Sequence, residues 1–86
     1  PEPVHRVKPV YSEALVAARA SGMVTARVLV DADGHVARVE ITDHFGYDSG
    51  AVAAAALRQF RFRPALRRGE PVAVWIIHRI RFEFQE

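Results

Sequence analysis

His44, Asp48 and Ser49 carry the residue types of a hydrolase triad within six consecutive positions. Nucleophilic catalysis by such residues needs a serine on a packed elbow, facing an oxyanion hole, and one crowded loop provides neither. A loop with a helix cap accounts for the same three residues. Asp31, Asp33 and His35 form a second candidate, because carboxylate oxygens and imidazole nitrogens are metal ligands. Their spacing lacks the remaining ligands of an EF-hand loop and a second histidine one helical turn away, whereas a hairpin tip explains all three. His78 stands inside an apolar run at the phase of Ile76 and Ile80, where a histidine at the margin of a core is expected. No catalytic residue, cofactor site or metal site is assigned, and the chain is not expected to be an enzyme.

Charge and aromatic residues leave binding as the alternative. Arg61 with Arg63, and Arg79 with Arg81, are spaced to share one side of an extended segment, and Arg67 and Arg68 add charge at a turn. They would make either a basic surface for an acidic partner or a solvated face that discourages edge aggregation. Trp75 and Ile77 alternate with Val74 and Ile76, so this run is apolar on both faces, as under a helix end or on an exposed contact surface. One lysine and eleven arginines oppose ten carboxylates, a net charge of only +2. A polyanion binder usually concentrates a larger excess on one face. A nucleic-acid-binding module would combine the arginines with Phe60, Phe62, Trp75 and Phe82. These aromatics are mostly explained as core, no RNA-binding signature is present, and that reading is the runner-up.

The elements that must position these residues follow from length and pattern. The 86 residues make one domain, and a hydrophobic share of 50% is too high for a disordered tail. Without cysteine there is neither a disulfide nor a thiolate metal site. The longest apolar runs, Ala51 to Leu57 and Val72 to Ile77, are far short of the ~20 residues that span a bilayer. The start at Pro1, with neither an initiator methionine nor a cleavable signal, marks an expected segment of a longer protein. Pro1, Pro3 and Pro9 keep the opening extended, and residues 1–7 read as the end of a linker before a domain over 8–86. Ser12 caps a helix of about two turns, with Gly22 placed to end it in the left-handed region. Val24, Ala26, Val28 and Val30 alternate along a strand. Asp33 and Gly34 predict a tight primed turn, and Val36 to Thr42 returns, with Ala37, Val39 and Ile41 on one face and Val36 out of phase at a bulge. A second helix, capped by Asp48 or Ser49, runs to about Phe60 on a stripe of Val52, Ala53, Ala56, Leu57 and Phe60. Pro64 stops it, Gly69 turns the chain, and Val72 to Phe84 alternates as a long last strand. The order helix, strand, strand, helix, strand predicts an α+β fold: a three-stranded antiparallel sheet with two helices on one face.

The same words in the same order resemble the TonB C-terminal domain, the periplasmic end of bacterial energy transducers, from Lys8 to Phe84. Pro9 and Tyr11 match the residues before the first helix, Gly22 the opening of the first strand, and Asp33 and Gly34 the hairpin. Phe60, Arg61, Phe62, Pro64, Ala65, Gly69, Pro71 and Val72 reproduce the family's most specific segment in order. The chain departs from the family pattern at Ser12, where a proline is usual, and at Phe60, where tryptophan is common. Asp43 to Gly46 stands where Ser-Ser-Gly is common, and the second helix lacks the usual Leu-Asp.

The resemblance implies capture of a short receptor segment, the TonB box, by strand addition to the edge of the last strand. Force would then pass from an inner-membrane motor, reached through the part preceding this domain, to an outer-membrane receptor or another envelope protein. By analogy the contacts are Trp75, Ile77, Arg79, Arg81 and Glu83 on that strand, with Lys8, Pro9 and Tyr11 beside it. Such domains also act as adaptors in other envelope machines, and an exposed edge invites strand-paired homodimers. The location implied is the periplasm, as the C-terminal part of a membrane-anchored protein, with no nucleic acid as partner.

Overall fold

A computed structural model describes residues 1–85. The elements in chain order are β1 (Pro3–His5), α1 (Glu13–Ala17), β2 (Gly22–Val30), β3 (Val36–Asp43), α2 (Ser49–Leu57), β4 (Arg61–Phe62), β5 (Ala65–Arg67), β6 (Glu70–Val72) and β7 (Val74–Phe82). The fold is α+β, and the expected three-stranded antiparallel sheet is present, in the order β3-β2-β7. Two antiparallel ribbons that the sequence pattern had not shown, β1 with β4 and β5 with β6, accompany it.

Alternation does in β2 what it predicts: Val24, Ala26, Val28 and Val30 are all buried, while Arg27 is exposed on the other face. Leu15 of α1, Ala53, Ala56 and Leu57 of α2, and Ile80 and Phe82 of β7 join them in one core with Phe60 and Phe62. The small side chains of α2 let its backbone approach the sheet.

Local chemistry sets the ends of the elements, and several differ from expectation. Ser12 caps α1 as expected, its Oγ accepting from the Leu15 N–H at 3.2 Å. The helix is closed by Arg19, at φ 49°, and not by Gly22. Arg19 N–H donates to Val16 O and Ala20 N–H to Leu15 O, each at 3.0 Å, which satisfies the last carbonyls within the first few residues after the helix. Gly22 opens β2 instead, where a Cβ would run into the ring of Phe45. That ring packs edge-on against Phe82 at 5.2 Å and seals the end of the core. Asp48 holds the N-cap position of α2 but makes no capping bond; its Oδ1 accepts from Ser12 Oγ at 2.7 Å and ties the two helix starts together. α2 ends at Leu57, short of Phe60.

The β2–β3 connection is a three-residue loop, not a two-residue primed turn. Asp31 N–H donates to His35 O at 2.9 Å, and only Gly34 in the loop has a positive φ, 86°. The Asp31 carboxylate accepts from the N–H groups of Asp33 and His35, both at 2.9 Å, so it builds the turn. The pairing shifts register between Leu29 and Val30, which turns Val36 inward with Val39 and Ile41 and leaves Ala37 exposed.

The tip of this hairpin docks on β4: Phe62 N–H donates to Gly34 O at 2.9 Å, and a Cβ on Gly34 would strike the Phe62 carbonyl oxygen. Gly34→Val is therefore expected to lose roughly 1–3 kcal/mol from the backbone conformation alone, and more from the collision. Denaturant melts measure this; a loss no larger than that of an exposed alanine-to-valine change would rule out the docked turn.

The opening segment is extended, as its prolines require, and it is also held. Pro3 pairs with Phe62 and His5 with Arg61, and Arg63 N–H donates to Glu2 O at 2.8 Å. The last strand is shorter than Val72 to Phe84, because Val72 belongs to β6, whose tight turn places Arg68 and Gly69 at φ 50° and 81°.

Candidate functional site

β7 forms one margin of the sheet, with β2 on its inner side and no strand paired to its outer side among the described residues. In a strand, the N–H and C=O of one residue point to the same side, and successive residues alternate. Asp31 N–H points toward the returning strand, at His35 O, so the odd residues of β2 bond to β3 and the even ones to β7. The register pairs Val24 with Ile80 and Ala26 with His78, so the even residues of β7 face β2. Phe84 agrees, its N–H donating inward to Ser21 Oγ at 3.1 Å. The outward-facing backbone groups are thus those of Trp75, Ile77, Arg79, Arg81 and, continuing the alternation, Glu83.

The segment before α1 is held beside the far end of this edge. Tyr11 donates its hydroxyl to Ala20 O at 2.7 Å and lays its ring against Phe82 and Phe84, at 5.9 and 6.2 Å between centroids. A groove of about 350 Å³ lies between that segment and the strand end, lined by Lys8, Pro9, Tyr11, Arg81, Glu83 and Gln85. Lys8, Pro9, Tyr11, Arg81 and Glu83, five of the residues singled out in the sequence, are thus brought together. Gln85 was missed, although the alternation that selects Arg81 and Glu83 also reaches it.

Trp75, Ile77 and Arg79 lie outside the groove, along the same edge, with side chains on the sheet face opposite the core. Ile77 is 66% exposed and Trp75 37%, so the second apolar face of this strand is open to solvent and not buried under a helix. Cross-strand pairs order that face. Arg27 lies over the Trp75 ring at 4.5 Å and donates to Glu40 at 2.7 Å, so one charged ladder spans the three strands. Arg81 and Glu83 are 3.6 Å apart and both well exposed, a pair that adds little stability.

The family described as Gram-negative bacterial TonB protein C-terminal matches the chain over residues 7–84. The chain belongs to that family. No curated protein matches it. TonB C-terminal domains are periplasmic protein-interaction domains of energy transducers, are not enzymes, and generally interact with outer-membrane receptors. Within the TonB C-terminal fold seen here, the most specific words of the sequence make β4 and the β5–β6 ribbon, where Gly69 supplies a positive φ. Among the described residues no helix is long and apolar enough to cross a membrane.

The other polar clusters are engaged locally. His44 Nδ1 accepts from Gly46 N–H at 3.0 Å, Ser49 Oγ donates to Gly46 O at 2.7 Å, and Asp48 is bonded to Ser12. None of the three bonds to another, so they order the turn into α2.

His78 is half-buried on the core side of β7, edge-on to Phe60 and Phe62 at 5.4 and 5.9 Å. Burial, and secondarily the positive charge of Arg6, lower its pKa below the ordinary 6.5. The unfolded chain therefore takes up this proton first as pH falls through about 6.5, and stability declines from there down to the folded-state pKa, with no contribution above. His78→Gln is expected to flatten the fall in melting temperature between about pH 7.5 and about pH 5.5. Parallel melting curves with equal slopes would show that His78 carries no such cost.

Proposed function

We propose that this domain is the partner-capturing end of a TonB-like energy transducer: it takes an extended segment of an outer-membrane receptor onto the outer edge of β7 and transmits force to it from an inner-membrane motor. The single observation that supports this reading is the unpaired margin of β7. Its outward N–H and C=O groups, at Trp75, Ile77, Arg79, Arg81 and Glu83, run past the groove at Lys8, Pro9 and Tyr11. An added strand is held by main-chain bonds, and tension along its axis loads those bonds together and not one at a time. The segment would thus pass load into β7 and, through the long β2–β7 pairing, into the center of the sheet. The same edge would admit a second copy of the chain, or a partner in another envelope machine.

The test is a titration of the isotope-labelled domain with a receptor plug peptide containing a TonB box. Amide shifts are expected along residues 75–83 and around Tyr11, and shifts confined to the helices or the β5–β6 tip would sink the proposal. Because the affinity is mainly in the backbone, Arg79→Ala and Arg81→Ala are each expected to weaken binding by about tenfold or less.

A further inference from the structure

β3 forms the second margin of the sheet, with β2 on its inner side and no strand paired to its outer side among the described residues. The odd residues of β2 bond to β3, and the register sets Arg27 against Glu40 and Leu29 against Arg38, so Arg38 and Glu40 turn their backbone groups inward. Val39 and Ile41, opposite Val28 and Ala26, turn theirs outward. Both register shifts fall outside the stretch from Arg38 to Ile41, which is left as a regular edge. A groove of about 370 Å³ lies beside it, lined by Ala37, Arg38, Val39, Glu40 and Arg58.

The charges of this groove are unequally satisfied. Glu40 accepts from Arg27 at 2.7 Å, whereas neither Arg38 nor Arg58 has an ion-pair partner among the described residues, and both are exposed. The two arginines also stand on opposite sides of the edge. Arg38 shares the open face of the sheet with Leu29, and Arg58, the C-cap of α2, approaches from the core side, where Ala53, Ala56 and Leu57 pack.

We infer that β3 is a second binding edge, which takes an extended acidic segment carrying two adjacent carboxylate side chains, one for Arg38 and one for Arg58. Neighboring residues of a strand point to opposite faces. An adjacent acidic pair therefore delivers one carboxylate to each arginine, whereas two acidic residues separated by one position share a face and leave one arginine unmet. The outward N–H and C=O groups of Val39 and Ile41 hold the backbone of the segment. β3 and β7 are opposite margins of the sheet, so a segment on β3 leaves β7 free, and the inference does not depend on what β7 holds.

The probes are three short synthetic peptides with the same β-branched flanks. One has two adjacent glutamates, one has identical composition with the glutamates separated by a valine, and one has glutamine in place of both adjacent glutamates. Calorimetry gives the affinity, and hydrogen exchange of the Val39 and Ile41 amides gives the placement. The adjacent pair is expected to bind about threefold to tenfold tighter than the separated pair, with the glutamine peptide weakest. Raising the salt should shrink these differences. Arg38→Gln or Arg58→Gln is expected to bring the adjacent pair down to the level of the separated one, with little change in the melt because both side chains are exposed. Equal affinity for the adjacent and separated peptides would overturn the inference, as would the absence of protection at Val39 and Ile41. Protection at the Arg79 and Arg81 amides instead would put the acidic segment on β7, and the inference would fall while capture there stands. A plug peptide that leaves β7 unprotected sinks the proposed function alone.

Discussion

Proline at Arg81, or at Arg79, is expected to weaken capture of a receptor segment by about a hundredfold or more while the domain stays folded. Each residue directs its N–H outward, so proline there removes a donor that the sheet itself does not use. A captured strand would then lose a bond worth about 1 kcal/mol and leave its own carbonyl unsatisfied beside the edge, at a further ~1–3 kcal/mol. About 3 kcal/mol in total is roughly a hundredfold in affinity. Edge strands tolerate proline on the solvent side, and both side chains are exposed, so the melt should move little. Ile80→Pro is the contrast: its N–H belongs to the pairing with β2 and its side chain is buried, so the sheet itself should fail. Calorimetry with a plug peptide, alongside circular dichroism, separates the cases. An Arg81→Pro domain that binds as well as Arg81→Ala would show that the outward amide is not used, and strand addition would have to be abandoned.

That contrast depends on which residues face outward, which the sequence does not show. Alternation along Val74 to Phe82 identifies the core side, because Ile80 and Phe82 are apolar and buried where Arg79 and Arg81 are not. It is silent on which backbone groups pair with β2, since that depends on register. Register is set by bonds between chain segments, some as far apart as Phe84 and Ser21. The break before β7 was hidden for a related reason. Val72 and Val74 keep the same phase through Ala73, although the chain passes there from one ribbon to another sheet. β1 and β4 are too short for any period, and their pairing was invisible, whereas the nine residues of β2 were legible from alternation alone. At the candidate site, Arg79, Arg81 and Glu83 were legible as a strand face. Lys8, Pro9 and Tyr11 were placed beside it only by family resemblance, because their approach rests on the Tyr11 ring packing against Phe82 and Phe84.

The charges along β7 and its readiness to pair are compatible for a geometric reason. Arg79 and Arg81 lift their side chains onto the open face of the sheet, perpendicular to the direction in which a new strand arrives. They tax uncontrolled pairing through like charge without covering the backbone groups. A proline or an inward bulge at the same positions would have closed the edge, and β7 has neither: its pairing with β2 runs without a register shift from Gly22–Phe82 to Val30–Val74.

Phe62→Ala is expected to cost about 3–5 kcal/mol, and Leu57→Ala about 2–5 kcal/mol. Leu57 is fully buried where α2 meets the sheet, so truncation leaves a cavity that a short helix closes poorly. Phe62 carries more connections than its two-residue strand implies. Its ring packs against Phe60 and His78, both at 5.9 Å, its N–H bonds to Gly34 at the hairpin tip, and its backbone pairs with Pro3. Removing the ring therefore loosens the opening segment, the hairpin tip and the core side of β7 together. For a domain of this size, each kcal/mol moves the melting temperature by about 4–8 °C, so a fall of at least ~12 °C is expected for Phe62→Ala. The Arg79 and Arg81 amides face the outer edge of β7 and not the core face on which that ring meets His78, so below its melting point the variant should still capture a plug peptide. Hydrogen exchange should show faster opening at residues 4, 5 and 34 than at β2. A melt unchanged by either substitution would mean that α2 and β4 do not pack as described, and the core that supports the edge would have to be redrawn.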